Sequence, residues 1–388
     1  MRTKPSARIP LALALACSTL AATAQIGPDI VWVTNAHYAA VSSVAFSGDS
    51  MRLASGSYDE HATVWSVESA SLVRSVFTFN ELVLAIDLDS DGNFLATGTD
   101  EGIIRLWDVS NGFVQWQNGA NQHLINSIAF SKDDSLIVEG RDGPGELLLH
   151  DVSTGFGTFL EGDGEPIPGI NSAVFSPDGG MVASCGDESA AKLWDVSSHG
   201  LIRTFIGGSG PLYSVAFSPD GKKLATAGDA ATARLWNVET GDLIAVLEDA
   251  GYIAKFSANG SLLISLDFVN NGLFKIWRVS NGAFLGSYPN TSATAFDIAS
   301  NGKYFAYGRN DGALVLARMP LVVDSVANAG NQTVIHWQGG SGLYQVQQCT
   351  NMGTAFWQNV GGPTTNTSAT NNMPAGNVFY RLQSLPNP

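Results

Sequence analysis

The chain has 388 residues, of which 45% are hydrophobic and 14% are charged, and its formal net charge is −15. This composition predicts a folded protein with a core, and the excess of acidic residues argues against a surface that binds nucleic acid or anionic lipid. The 42 glycines follow no collagen-like period, so we expect many tight turns and a largely β structure.

Residues 1–24 have the features of a secretory signal peptide. Three basic residues among the first eight precede an apolar stretch, and Ala22-Thr23-Ala24 then forms a cleavage site before Gln25. The apolar stretch is too short to cross a bilayer of about 30 Å as a helix. We therefore expect an exported protein, periplasmic, outer-surface or extracellular, with no membrane insertion after cleavage. A short membrane anchor and a lipoprotein modified at Cys17 are the alternatives.

One pattern recurs seven times after a first short strand at residues 30–34. Each copy has an apolar run, a turn of the Asp-Gly type, a strand of small residues, a polar turn and a strand that ends in tryptophan. Successive copies lie about 40–45 residues apart, which is the length of a four-stranded propeller blade. Five copies carry this tryptophan, at Trp65, Trp107, Trp194, Trp236 and Trp277. His150 takes its place in the third copy and Ala317 in the seventh.

A second turn follows most of these strands, as at residues 109–112 and 238–241. Two turns per repeat, separated by a longer connection, predict four antiparallel strands in each repeat. The segments 106–109, 193–196 and 235–238, which read Leu-Trp-Asp-Val or Leu-Trp-Asn-Val, resemble the WD-repeat family. The resemblance covers residues 30 to 319 and implies a seven-bladed β-propeller of the WD-repeat type within residues 25–319.

The resemblance has two further implications. In this family the first strand of each repeat forms the outer strand of the preceding blade, so residues 30–34 are expected to complete blade seven and close the ring. Well-formed blades of the family also carry a buried hydrogen-bonded tetrad. Only blade one matches all four positions of this tetrad, with His37, Ser55, Asp59 and Trp65.

Residues 320–388 do not continue the repeat. Short apolar runs at 334–337, 344–347, 356–360 and 379–382 predict strands that are separated by turns rich in Gly, Ser, Thr and Asn. The segment resembles small fibronectin type III-like or immunoglobulin-like modules of secreted bacterial proteins. A small β-sandwich-like domain is the expectation, and a β-rich tail packed on the propeller is the alternative.

No catalytic, metal or cofactor motif occurs in the chain. The six histidines show no zinc-ligand spacing, and neither a nucleophile elbow nor a phosphate-binding loop is present. Cys185 and Cys349 fall in different predicted domains, so no disulfide is expected between them. We therefore expect a protein that is not an enzyme and binds no cofactor or metal ion.

The turn between the second and third strands of the blades is repeatedly acidic. In a propeller these turns meet on one face, so acids there, with tyrosines beside them, predict a surface for a basic protein or peptide. The candidate residues for this surface are Tyr58, Asp100, Asp187, Asp229, Tyr213 and Tyr252. Ordinary turn formation by the acids and packing by the tyrosines are the structural alternatives.

The sequence thus favours an exported, monomeric, non-enzymatic scaffold that binds proteins or peptides. Two other functions stay open. Propellers also house enzymes and cofactors, with a site at the channel mouth. The C-terminal module, for its part, would suit carbohydrate binding or attachment to a cell surface.

Overall fold

The computed structural model describes residues 28–119, 123–143, 147–160, 168–208, 210–289 and 291–320, and beyond them the backbone of the strands between residues 322 and 384. The predicted signal peptide, residues 1–24, lies outside the described residues. The chain divides after Pro320 into two compact units, and each is described by itself below.

The first unit is a seven-bladed β-propeller, as the repeat predicts. Its first three blades contain twelve strands in chain order, four in each antiparallel sheet. Blade one comprises β2 (Val41–Phe46), β3 (Arg52–Ser57), β4 (His61–Ser66) and β5 (Leu72–Phe77). Blade two comprises β6 (Val83–Leu88), β7 (Phe94–Thr99), β8 (Ile103–Asp108) and β9 (Val114–Gly119). Blade three comprises β10 (Ile125–Phe130), β11 (Leu136–Arg141), β12 (Leu147–Asp151) and the short β13 (Gly157–Phe159).

Blades four to six repeat this arrangement. Blade four comprises β14 (Ile170–Phe175), β15 (Met181–Gly186), β16 (Ala190–Asp195) and β17 (Leu201–Ile206). Blade five comprises β18 (Leu212–Phe217), β19 (Lys223–Gly228), β20 (Thr232–Asn237) and β21 (Leu243–Leu247). Blade six comprises β22 (Ile253–Phe256), β23 (Leu262–Asp267), β24 (Leu273–Arg278) and β25 (Phe284–Tyr288). A one-turn 3-10 segment, Asp229–Ala231, is the only helical element among the described residues, so none of them forms a helix that could cross a membrane.

Blade seven joins the two ends of the propeller sequence. It comprises β26 (Ala293–Ile298), β27 (Tyr304–Arg309), β28 (Ala313–Arg318) and, from the start of the chain, β1 (Ile30–Asn35). Strand β1 pairs antiparallel with β28, with Val33 opposite Val315 and Asn35 opposite Ala313. The first strands of neighbouring blades contact one another in a closed order from β2 through β26 and back to β2. The ring is therefore closed by a strand that comes from the other end of the sequence.

The core lies between the blades. Each third-strand tryptophan packs against the preceding blade, as Trp107 does on Val64 and Val76 of blade one and Trp277 does on Leu235 of blade five. In four blades the indole N–H also donates to a buried hydroxyl on the second strand of its own blade at 2.8–3.0 Å, the acceptors being Thr97, Ser184, Thr226 and Ser265. Burial of such large side chains, with their one polar group satisfied, stabilises each interface between blades.

The second unit contains six described strands in two three-stranded sheets. The sheets have the orders β29-β30-β33 and β32-β31-β34. Their strands are β29 (Val322–Ala329), β30 (Gln332–Gln338), β31 (Tyr344–Cys349), β32 (Gln358–Thr364), β33 (Ser368–Asn372) and β34 (Phe379–Ser384). The sequence prediction missed β29 and β33 because neither has the aromatic run by which the other strands were recognised. The resemblance to a fibronectin-like module stays a prediction.

Candidate functional site

The turns between the second and third strands lie at the same end of the blades as the connections from one blade to the next. Backbone hydrogen bonds join the two, since Tyr58 N–H donates to Ala40 C=O at 3.2 Å and Asp187 N–H donates to Gly169 C=O at 3.0 Å. We call this side of the propeller the connection face. The opposite side, formed by the other two turns of each blade, is the hairpin face.

The second residue of each first strand stands near the channel at the connection face. In four blades this side chain donates a hydrogen bond to a carbonyl at the start of the next blade. Examples are Ser42 to Val83 at 2.6 Å and Asn126 to Ile170 at 3.1 Å. Asn171 and Thr294 do the same to Leu212 and Val41 at 3.0 and 2.6 Å. These bonds link neighbouring blades around the channel mouth.

Tyr213 holds this position in blade five, and Tyr252, just before β22, holds it in blade six. Their rings contact each other edge to face, with centroids 5.8 Å apart. The ring of Tyr252 also contacts that of Phe268, at 5.1 Å, which lies in the next turn of blade six. We call these three side chains the aromatic patch. Tyr213 is 41% exposed, Phe268 is 39% exposed and the neighbouring Val269 is 64% exposed, so the patch is contiguous and open to solvent.

A second aromatic group lies on blade one, where His61 contacts Phe77 and Phe77 contacts Phe79, with ring centroids 5.1 and 5.8 Å apart. Phe79 is 61% exposed, although its φ of +62° is a conformation that bulky residues rarely adopt. The guanidinium of Arg105 lies 5.7 Å from its ring and is itself held by two hydrogen bonds to Glu81, at 2.5 and 2.8 Å. A buried ion pair thus supports an exposed aromatic side chain.

The candidate acids differ in exposure and in the hydrogen bonds that their carboxylates accept. Asp100 accepts a hydrogen bond from Leu82 N–H at 2.7 Å, so its carboxylate supports the connection between blades. Asp187 is exposed, and its carboxylate accepts a hydrogen bond from Asn171 Nδ2 at 3.4 Å. The side chain of Asp229 lies outside the described residues. Tyr58 is 48% exposed in the turn of blade one. The structure brings Tyr213 and Tyr252 together, and it leaves Asp187 and Tyr58 available on the same face.

The four tetrad positions of blade one form a hydrogen-bonded chain that includes a fifth residue. The indole of Trp65 donates to Thr63 at 2.9 Å, and Thr63 contacts Ser55 at 2.9 Å. Ser55 is hydrogen-bonded to His37 at 2.8 Å, and His37 donates to Asp59 at 3.1 Å. Trp65 therefore reaches Ser55 through the hydroxyl of Thr63 rather than directly.

This network sets the ionisation of His37 and Asp59. Burial lowers the pKa of His37, and Asp59 opposes that shift. Burial also opposes the ionisation of Asp59, but the N–H of Tyr38 and the ring of His37 outweigh it and hold the pKa of Asp59 below its usual value. A neutral imidazole between a hydroxyl and a carboxylate fits a structural role for the network.

The channel contains three charged side chains that the sequence analysis did not single out. Lys255 donates to Asp297 at 2.7 Å, and Asp297 also accepts Phe46 N–H at 2.8 Å. Asp87 accepts Phe130 N–H at 2.7 Å. Burial raises the pKa of Asp87 to about 7, against the effect of that N–H and with a further contribution from Asp297. Both aspartates bind the backbone of a neighbouring blade, which is a structural use of the carboxylate.

Within the ranges that the structure describes, no three metal-ligating side chains lie close enough together to hold a metal ion. Cys185 is a buried free thiol, and burial raises its pKa, which suppresses the reactive thiolate. Two residues that matter to the surface were missed from sequence. Phe268 and Val269 form an apolar pair in a turn that is acidic in other blades. This difference in residue type is visible in the sequence and could have identified them.

Seven four-stranded sheets around a channel, closed by the first strand, define the class of protein as a seven-bladed β-propeller. Residues 29–66, 73–108, 159–195 and 200–237 match the family model described as "WD domain, G-beta repeat". These four stretches of the propeller are therefore WD40 repeats.

Curated relatives agree with this assignment. The chain is 27% identical over 166 residues to the WD repeat-containing protein SL1-17 of Schistosoma mansoni, which is 43% of this chain and 54% of the relative. It is 29% identical over 174 residues to the nuclear distribution protein PAC1 of Arthroderma otae, 42% of this chain and 37% of the relative. It is 24% identical over 176 residues to the WD repeat-containing protein 1 of Gallus gallus, 44% of this chain and 29% of the relative. The matched region spans about half or less of each relative.

Proposed function

We propose that this propeller is a non-enzymatic scaffold that binds a protein partner on its connection face, and that the partner contacts the aromatic patch first. The observation that carries the proposal is the contact of Tyr213, Tyr252 and Phe268 at the channel mouth. Four other blades use this position for hydrogen bonds between blades, whereas blades five and six expose aromatic surface there. Buried aromatic anchors contribute most of the affinity in many protein interfaces.

The charge of the same face favours a partner with basic residues. Several of its cations are already bound to acids, since Lys192 lies 3.0 Å from Glu188 and Arg309 lies 2.6 Å from Asp311. Asp187 carries no such cation in the structure described and remains exposed. A basic segment beside an apolar side chain would complement both the acids and the aromatic patch, and the charge would chiefly raise the rate of association.

We also propose that the protein acts as an exported monomer, in the periplasm, on the outer surface or outside the cell. The basis is the sequence of residues 1–24, and the acidic surface fits a partner other than nucleic acid. Fractionation of the producing cell, with sequencing of the mature N-terminus, tests export. A mature chain that begins at Gln25 supports the proposal, and an uncleaved intracellular chain contradicts it.

Site-specific photo-cross-linking in the producing cell tests the binding face. A photoreactive phenylalanine analogue is placed at Tyr213 or Tyr252, and in a matched control at Phe113, which is 71% exposed on the hairpin face. We expect a discrete protein adduct from positions 213 and 252, lost when Phe268→Ala is added, and none from position 113. Equal adducts at all three positions, or adducts at position 113 alone, would contradict the proposal.

A further inference from the structure

Four junctions of the propeller are bridged on their outer flank by a long side chain of a fourth strand. Its N–H groups donate to main-chain carbonyls in the turn between the third and fourth strands of the next blade. An indole does this twice, from Trp116 to Val152 C=O at 2.7 Å and from Trp32 to Val67 C=O at 3.1 Å. A guanidinium does it twice more, and each time it reaches two successive carbonyls, from Arg74 to Val109 and Ser110 and from Arg203 to Glu239 and Thr240.

The junction of blades three and four has no such side chain, and a groove lies in its place. Strand register places Thr158 of β13 at the position that Trp116 holds in β9. A threonine is too short to bridge the junction, and a space of about 550 Å³ separates β13 from residues 198–200 of the turn in blade four. None of the described residues donates a hydrogen bond to the carbonyl of Val196 or Ser197, which correspond to the two acceptors of the arginine in blade one. We call this space the flank groove.

The junction of blades five and six shows that a short side chain does not by itself create a groove. There Ala245 holds the position of Thr158, and the facing turn has Gly282. A Cβ on Gly282 would lie 3.1 Å from the side chain of Leu247 and 3.4 Å from that of Ala245, so the turn and the strand are in close contact. In blade four the position of Gly282 is held by His199, whose φ of +61° is a conformation that glycine adopts most easily. The flank groove thus has an imidazole on its wall where the closed junction has glycine.

The surroundings of the flank groove favour a cation. Asp195 lies at the start of the turn, and its described hydrogen bonds come from the neutral donors Ser197 and Ser198. These bonds hold the pKa of Asp195 at about 2, so its charge is present at neutral pH and acts on a ligand at a distance. Phe156 lies at the rim and is 72% exposed. An aromatic ring of this kind can attract a guanidinium, as the exposed phenylalanine near Arg105 does at 5.7 Å.

We propose that the flank groove binds an arginine side chain of a partner protein, in the place that Arg74 and Arg203 fill at other junctions. The planar guanidinium has several N–H donors, and these suit the two successive carbonyls of Val196 and Ser197. Lysine is a poorer fit because its ammonium is a point charge. An indole has one N–H and gains nothing from the charge of Asp195. The groove is bounded by a turn of the hairpin face, so it is a second contact, separate from the aromatic patch.

The test uses the full chain and a capped peptide in which one arginine is flanked by glycines. A carbon-13 label at the guanidinium carbon allows NMR titration to measure the affinity. The ring resonances of His199, assigned by their loss in His199→Gly, report where the peptide binds. We expect saturable binding that shifts these resonances. Competition should show that the same peptide with lysine or tryptophan in place of arginine binds about fivefold or more weakly.

Two variants fill the flank groove from β13. Thr158→Arg, made together with His199→Gly, copies the bridge of Arg74 on a glycine turn, and Thr158→Trp copies Trp116. We expect each to weaken binding of the arginine peptide by about tenfold or more, because the groove is then occupied by the chain itself. The control is Ser280→Arg, which adds the same charge at an exposed turn of blade six and should leave binding unchanged.

Using two filled variants protects against misfolding of one, and circular dichroism identifies the folded ones. Loss of binding in a folded filled variant, with binding kept in Ser280→Arg, supports the proposal. Four results overturn it: no saturable binding to wild type, equal binding of the lysine peptide, tighter binding of the tryptophan peptide, or undiminished binding to a folded filled variant.

Discussion

The junction between blades two and three and the junction between blades six and seven both lack the third-strand tryptophan, and they fill its place in opposite ways. Between blades six and seven, where Ala317 stands at the tryptophan position, the ring of Phe274 contacts those of Phe296, Phe305 and Tyr307 at 5.3–5.6 Å. Between blades two and three, Glu139 and His150 form a buried polar group and leave a cleft.

The difference shows which residues the repeat tolerates in place of the third-strand tryptophan. Apolar rings from neighbouring positions can replace one buried tryptophan, because packing needs volume and shape rather than a particular residue. A charged group at the same place needs a counter-charge and fixed hydrogen bonds, because an unpaired charge is costly to bury. The junction of blades six and seven should therefore depend on the volume of its rings, and the junction of blades two and three on the completeness of its polar network.

The largest effect is expected from Phe274→Ala. Phe274 is fully buried and touches three other rings, so its truncation leaves a cavity and should lower the free energy of unfolding by about 3–5 kcal/mol. Denaturant unfolding measures this loss. The control is Phe113→Ala, at a position 71% exposed, which should change stability little. A loss below about 1 kcal/mol for Phe274→Ala would show that this junction does not rest on aromatic packing.

Glu139→Ala tests the polar junction. It removes an acceptor of both Arg141 and His150, and we expect a loss of about 3 kcal/mol because two buried polar side chains then lose a charged hydrogen-bond partner. Glu239→Ala, at an exposed turn of blade five, is the control and should stay within about 0.5 kcal/mol of wild type. If the two variants unfold at the same denaturant concentration, the buried polar group contributes nothing and the contrast between the junctions fails.

The two junctions also show what sequence can and cannot reveal. The repeat predicts seven blades and the turns, because each blade repeats the same alternation of apolar and turn residues. The loss of tryptophan at His150 and Ala317 is visible as well. The compensation is not visible, since Phe274 and Tyr307 become neighbours of each other only through packing between blades. Likewise Tyr213 and Tyr252 were recognised singly, but their contact with Phe268 depends on the curvature of the channel mouth.

A triple graft turns the polar junction into a regular one. Glu139→Thr, Arg141→Thr and His150→Trp copy Thr97, Thr99 and Trp107, which hold the same register in blade two. We expect the graft to raise stability by about 1–4 kcal/mol, because well-packed apolar groups often replace buried ion pairs with a gain. The reverse graft into blade two should destabilise. If the first graft destabilises by as much as Glu139→Ala, the polar group stabilises this junction more than the regular residues of the repeat do.

The same contrast applies to a turn on the hairpin face of blade two. In five blades a serine hydroxyl donates to an Asp or Asn two residues later and accepts the N–H five residues later, as Ser176 does with Asp178 and Met181. Asp89 takes the place of that serine. It still accepts the N–H of Phe94, at 2.9 Å, but it now faces Asp91. Burial raises the pKa of Asp89 to about 7, against the effect of the Phe94 N–H and with contributions from Asp91 and Asp134.

The smallest predicted effect is the pH dependence of Asp89→Ser. A carboxyl whose folded pKa is raised is most stabilising when protonated, so its contribution is present below about pH 4 and is lost as pH rises through about 7. We expect Asp89→Ser to gain about 1–2 kcal/mol over wild type at pH 8 and little at pH 4, measured by denaturant unfolding at both values. Ser257→Ala, which removes the regular serine in blade six, where the partner is the non-ionising Asn259, is the control and should lose stability equally at both. An equal gain for Asp89→Ser at both pH values would assign it to turn geometry, and the cost of placing a charge at a repeat position would then be confined to the junction of blades two and three.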